Sequence, residues 1–202
     1  MTIHSVTSSD AKHARKDKRD RILDAATRVF AKRGFFAAQV ADIAKRAGVA
    51  AGTVYLYFKS KDDILISLFE RTMTAAIADG RAVVESHPIK RLRRIAHVHL
   101  ARLGNDKNLA IVFQIELRQS TKFMARLSTS SLREYLGLLR EVVVDGQAKG
   151  QLRADINPTL AAKVIFGALD EMATNWILSE RDYKLEDDAE AVMNILVGGL
   201  KT

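Results

Sequence analysis

Thr53, Tyr55, Tyr57 and Lys61 lie within nine residues of one another, directly after the small pair Ala51-Gly52, in the stretch VADIAKRAGVAAGTVYLYFKSK that spans residues 40–61. Hydroxyls, phenols and an ammonium at that density can bond phosphate oxygens and base edges, and the phenol rings add flat apolar contact. Ala51 and Gly52 leave little bulk at a helix start, so backbone amides and the positive dipole end can approach a phosphate or enter a groove. A second set has another character. NLAIVFQIELRQS, residues 108–120, carries Gln114, Glu116, Arg118 and Gln119 in an apolar run, and IFGALDEMATNWIL, residues 165–178, carries Asp170, Glu171, Thr174 and Asn175 among large apolar side chains. Buried polar groups need partners. They therefore either satisfy one another or rim a mostly apolar pocket that orients a ligand.

The elements that must position the first set can be read from spacing. Val40, Ile43, Ala44 and Ala47 form a short helical stripe, and Gly48 stands where a left-handed residue ends a helix. After the turn, Val54 and Phe58 are four apart and anchor a second helix inward, leaving Thr53, Tyr55 and Tyr57 pointing elsewhere. The result is a helix-turn-helix over 40–59. Upstream, Ile22, Ala25, Ala26, Val29 and Phe30 give a longer amphipathic helix that Gly34 stops, completing a three-helix unit. Downstream, Ser60 and Asp63 fit a capping box and start a fourth helix, whose leading Lys61 is placed to meet a phosphate. Six helices are expected from there, over 61–84, 88–103, 107–120, 122–149, 158–179 and 186–200, with Pro88 and Pro158 at two of the starts. The fold class is all-α, with about nine helices. The domain division is a basic flexible arm at 1–17, the DNA-binding unit at 18–78 and a larger ligand-binding and dimerisation domain at 79–202. The last two helices carry more apolar surface than one internal face needs, through Leu160, Val164, Ile165, Leu169, Met172, Ala173 and Trp176 and through Val192, Ile195, Leu196 and Leu200. Part of it must be internal core, and the rest is the expected dimer interface.

Charge divides along the same line. Residues 1–60 hold 12 Lys+Arg against 5 Asp+Glu, whereas residues 61–202 hold 20 against 19. The basicity is local, which fits a polyanion partner at the N-terminal third better than a generally cationic surface. The absence of cysteine excludes a disulfide framework and thiolate metal sites. No apolar run approaches the ~20 residues of a membrane span, and the first residues lack the apolar core of a signal peptide, so no membrane partner and a cytoplasmic location are expected. His97 and His99 are spaced i, i+2 and suit a shared metal poorly, and no glycine-rich phosphate loop or nucleophile elbow occurs. An enzyme, a metal and a bound cofactor are therefore not expected.

ILDAATRVFAKRGF followed by DIAKRAGVAAGTVYLYFKSKDDIL resembles the N-terminal domain of the TetR family of bacterial transcriptional regulators. The resemblance implies that Ala51, Gly52 and Tyr55 face the groove and that Thr53, Tyr57 and Lys61 face phosphates. It also implies a two-fold dimer on a near-palindromic operator in double-stranded DNA. Many members carry Thr at 39 or 40 and Ser at 50, where this chain has Gln39, Val40 and Ala50; Gln39 can replace one of the missing hydroxyls. DILISLF, NLAIVFQIELRQS and IFGALDE with its TNW continuation are similar to the fatty-acid-degradation repressor (FadR) subgroup, which implies a long-chain acyl-CoA as effector. An acyl chain needs an apolar tunnel, for which Phe113, Leu117, Phe166 and Trp176 are candidates. The phosphate-bearing end needs basic groups, sought first at Arg118 and Arg102 and then at His99 and Asn175; the basic run from Lys90 to Arg102 stands beside them. Two other readings stay open: a TetR-type regulator answering another hydrophobic effector and controlling efflux or catabolic genes, and a cytoplasmic acyl-CoA or lipid-binding protein without DNA function.

Overall fold

A computed structural model describes residues 8–119 and 130–200, with side chains from Lys16 onward. The described residues form nine α-helices and two short 3-10 helices, with no strand, in the all-α class expected. The chain divides into two compact units, Met1–Leu68 and Phe69–Thr202. That division falls ten residues before the boundary drawn at 78, because one unbroken helix runs through both positions.

The first unit holds α1 (Ser8–Arg33), α2 (Val40–Ala47), α3 (Ala51–Tyr55) and the first turns of α4 (Lys61–Ala82). Helix begins at Ser8, so most of the segment assigned to a flexible arm is helical. Residues 8–17 read SSDAKHARKD, a sequence without an apolar stripe, so hydrophobic periodicity gives no sign of a helix there. Residues 1–7 of that arm lie outside the described residues. Ile22, Ala26, Phe30, Ile43, Val54 and Phe58 are buried and form the core of the unit. Gly34 (φ 75°) and Gly48 (φ 67°) are the left-handed residues that stop α1 and α2, as their positions predicted.

The second unit continues α4 and adds α5 (Pro88–Gly104), α6 (Lys107–Gln114), α7 (Ser131–Ala148), α8 (Pro158–Leu178) and α9 (Asp188–Leu200). Pro88 and Pro158 stand at the first turns of α5 and α8, where a missing amide proton costs nothing. The helix expected over 107–120 ends at Gln114 and rewinds as a 3-10 turn over Glu116–Gln119. Ile111, Phe113, Ile115 and Leu117 alternate with period two rather than 3.6, and a uniform α-helix would scatter them over several faces. Of the helix expected over 122–149, the part before 130 lies outside the described residues. A β-carbon on Gly80 would stand 2.5 Å from Leu138 Cδ2, so α4 passes close to α7 at a residue that must stay small. On α8 and α9, Leu160 (58% exposed) and Ile195 (78%) are uncovered, and with Val164, Leu196 and Gly199 they line one shallow apolar depression.

Candidate DNA-reading surface and ligand cavity

The reading unit is held by contacts that leave the start of α3 open. Gly48 closes α2 with its amide donating to the Ala44 and Lys45 carbonyls, and Val49 N–H adds a bond to Ala44 O at 3.0 Å. The Arg21 guanidinium on α1 caps the same helix end through Ala47 O at 2.8 Å, and Arg33 pairs with Asp42 at 2.5 Å. With α2 fixed at both ends, α3 presents Ala51, Gly52 and Tyr55 to solvent, Tyr55 at 58% exposure. A β-carbon on Gly52 would meet nothing within 4 Å, so packing inside the chain does not require glycine there. Thr53 and Tyr57 are half-buried beside them, and Gln39, Ala51, Tyr55 and Lys61 line a single surface depression.

Lys61 departs from the expectation. Its ammonium donates to the carbonyls of Phe35 (2.6 Å), Phe36 (3.0 Å) and Ala38 (2.9 Å) and lies 4.6 Å from the Phe35 ring centre. An ammonium has three N–H groups, and all three are spent on the turn between α1 and α2. Lys61 is a clasp for that turn, with no donor left for a phosphate. The capping box also differs in detail: Asp63 N–H donates to Ser60 Oγ at 3.1 Å, but the Asp63 carboxylate accepts from Lys59 N–H rather than from Ser60. Ala50 is the N-cap residue of α3 and offers no side-chain acceptor.

The second unit contains an apolar cavity of about 120 Å³ between α4, α5, α6, α7 and α8. Of the eight residues expected at an effector site, His99, Arg102, Phe113, Leu117, Arg118 and Phe166 line it. Asn175 and Trp176 do not. Asn175 is exposed and donates to the Glu171 carbonyl and carboxylate on its own helix, while the Trp176 indole N–H is taken by Tyr183 O at 2.9 Å under Lys107. Both sit off the α8 face that Phe166, Asp170 and Ala173 define by helical spacing. Phe69, Thr72, Met73 and Ala76 of α4 and the leucines Leu103 and Leu132 also line it and carry no site role in the sequence reading, although 69, 73 and 76 form a one-face stripe.

Polar groups at the cavity mouth are tied together. Arg118 pairs with Asp170, Gln114 donates to Asp170 at 2.9 Å, and Thr174 donates to Gln114 at 3.2 Å. Arg102 pairs with Asp79 of α4, donating from Nε at 2.9 Å. Asp79 also lines a wide surface cleft of about 730 Å³ with Lys90, Arg94 and His97, so the Arg102–Asp79 pair stands between cavity and cleft. Within the basic run, Arg93 is already paired with Glu190 at 2.5 Å. Deeper in, His99 Nδ1 and the Tyr135 hydroxyl are 2.9 Å apart beneath the Phe166 ring. Burial, with the Arg102 charge adding to it and Asp170 opposing, pushes the His99 imidazole down to about 4; burial pushes the Tyr135 phenol above its ordinary range. Both rings are therefore neutral near pH 7.

A helix-turn-helix with its second helix uncovered, joined by one continuous helix to an all-helical unit that encloses an apolar cavity, defines a ligand-responsive DNA-binding regulator. The chain belongs to the TetR family: residues 22–68 match "Bacterial regulatory proteins, tetR family", and residues 69–199 match "YsiA-like protein, C-terminal region". It is 37% identical to the fatty acid metabolism regulator protein of Bacillus subtilis over 188 residues, which is 92% of this chain and 97% of the relative. Among solved structures, the FadR regulator of Bacillus subtilis in complex with stearoyl-CoA superposes with a TM-score of 0.84 at 38% identity, covering 89% of this chain and 98% of that one. The fatty acid degradation regulator FadR of Bacillus halodurans gives 0.86 at 40% identity, covering 90% and 95%. These relatives are regulators rather than enzymes. Among the described residues, no helix is long and apolar enough to cross a membrane and no group of three or more His, Cys, Asp or Glu side chains could hold a metal ion.

Proposed function

We propose that this chain is a cytoplasmic, non-catalytic repressor of fatty-acid-degradation genes that leaves its operator when a long-chain acyl-CoA enters the second unit. The observation that carries the reading is the apolar cavity with arginines at its mouth, in a chain related along most of its length to a regulator solved with stearoyl-CoA. In this reading Phe113, Leu117 and Phe166 contact the acyl chain, while Arg102 and Arg118 exchange their carboxylate partners for the ligand's polar end. The phosphates lie in the cleft beyond Arg102, against Lys90 and Arg94.

At about 120 Å³ the cavity is below the ~300–1,000 Å³ of ordinary ligand pockets, so a long chain must part the helices to enter. α4 carries four of the wall residues and its first turns belong to the reading unit, so parting the wall at α4 gives the ligand a mechanical route to the DNA contacts. On DNA, Gln39, Ala51, Gly52, Thr53, Tyr55 and Tyr57 form the contact set. The uncovered apolar face of α8 and α9 makes the dimer, which sets two reading helices about 34 Å apart on a near-palindromic operator.

A gel shift on the DNA upstream of the chain's own gene, with and without palmitoyl-CoA, tests this. The expected result is a retarded band that palmitoyl-CoA abolishes and that weakens steeply with salt. A band unaffected by palmitoyl-CoA would leave the regulator class and overturn the effector. The cavity's volume without expansion favours one second reading, a smaller apolar effector, which would then release the DNA in place of the acyl thioester.

A further inference from the structure

Among the described residues, the cavity wall holds one polar atom without a partner. Thr72, Arg102, Gln114, Arg118 and Asp170, the other polar side chains on its wall, each have an interaction within the chain. Among the described residues, His99 Nε2 is buried and has none. The opposite ring nitrogen explains which form Nε2 takes. An imidazole nitrogen is a better acceptor than a phenol oxygen, and the phenol is the better donor, so the Tyr135 hydroxyl donates to Nδ1 across 2.9 Å. The neutral ring then carries its proton on Nε2, as a donor with nothing to receive it. An unmatched buried donor is unfavourable in the empty protein. It becomes favourable when a ligand brings a carbonyl.

We infer that His99 Nε2–H donates to the thioester carbonyl of the acyl ligand, so that the site reads the carbonyl group as well as the hydrocarbon chain. The position suits that role. His99 stands against the Phe166 ring at 6.1 Å between centres, and Arg102, one helical turn further along α5, is at the polar mouth. An acyl thioester changes from hydrocarbon to polar chain at its carbonyl, and His99 occupies the corresponding place in the wall. The protonated ring would need a second acceptor beside Tyr135; burial keeps it neutral at physiological pH, leaving one donor for one carbonyl.

This inference rests on the acyl-CoA reading, and its test separates the two. Isothermal titration of the full chain would compare palmitoyl-CoA with hexadecyl-CoA, the thioether of equal chain length in which a methylene replaces the carbonyl. The wild type should prefer the thioester about tenfold, the value of one neutral hydrogen bond whose donor is already desolvated. His99→Phe should bring that ratio to within about twofold of unity. Tyr135→Phe, which keeps His99 but frees its tautomer, should reduce the preference by a smaller factor. If the wild type binds both ligands equally, or His99→Phe retains the preference, the inference falls while the acyl-CoA reading stands. If the wild type binds neither, both fall.

Discussion

Replacing Lys61 by methionine separates a structural clasp from a DNA contact. Its ammonium donates to two half-buried carbonyls, Phe35 and Ala38, and to the exposed Phe36 carbonyl, which water can serve once the ammonium is gone. Hydrogen bonds to a charged group contribute ~1.5–3 kcal/mol each and an exposed cation–π contact ~0.5–1. Half-exposure of the lysine reduces these figures, and methionine keeps the apolar stem, so the net loss should be ~2–4 kcal/mol. Urea unfolding followed by circular dichroism would measure it, and faster amide exchange across residues 34–47 would locate it in the α1–α2 turn. Operator affinity should fall with the population of the folded reading unit, with the slope of log affinity against log salt unchanged. A phosphate contact behaves in the opposite way, leaving stability intact and lowering that slope by ~1. A Lys61→Met protein with wild-type stability and a reduced salt slope would refute the clasp.

Ala50→Ser supplies α3 with the side-chain acceptor it lacks and should raise stability by ~0.5–1 kcal/mol, read as a higher unfolding midpoint. Ala76→Leu puts three carbons into the 120 Å³ cavity; displacing about three ligand methylenes should weaken palmitoyl-CoA about 50-fold by calorimetry, with operator binding retained. His99 also makes a signature in pH. Its folded pKa, about 4, lies below the unfolded 6.5, so the unfolded chain binds the extra proton between those values. The stability due to the neutral ring is complete above pH 6.5 and is lost on acidification towards 4, ~3 kcal/mol in all. Unfolding midpoints over that range should fall for the wild type and flatten for His99→Phe.

Much of the fold was legible because it rests on short-range rules. The core stripe of α1, the left-handed Gly34 and Gly48, and the prolines opening α5 and α8 act within a few residues of where they stand. The cavity was legible for a related reason. Phe166 and Arg118 fall on segments too apolar to be surface and too polar to be simple core. What escaped was tertiary. Lys61 reads as a free cation until the turn at 35–38 delivers three carbonyls to it from more than twenty residues away. Trp176 reads as tunnel lining until Tyr183, in the loop after α8, claims its indole N–H. Asp79 and Tyr135, the partners that restrain Arg102 and orient His99, carry no local mark of that role, since each meets its partner only across a helix packing.

If an acyl-CoA parts its helices as proposed, the small size of the cavity would give the protein a way to measure chain length. Separating packed helices has a fixed cost paid at the first carbons, whereas each further methylene returns ~0.8 kcal/mol, about fourfold in affinity. In the acyl-CoA reading proposed above, short thioesters would recover less of that cost than long ones. Occupancy would then rise over a few carbons of length, and the response would depend on which acyl groups are abundant as well as on their total concentration.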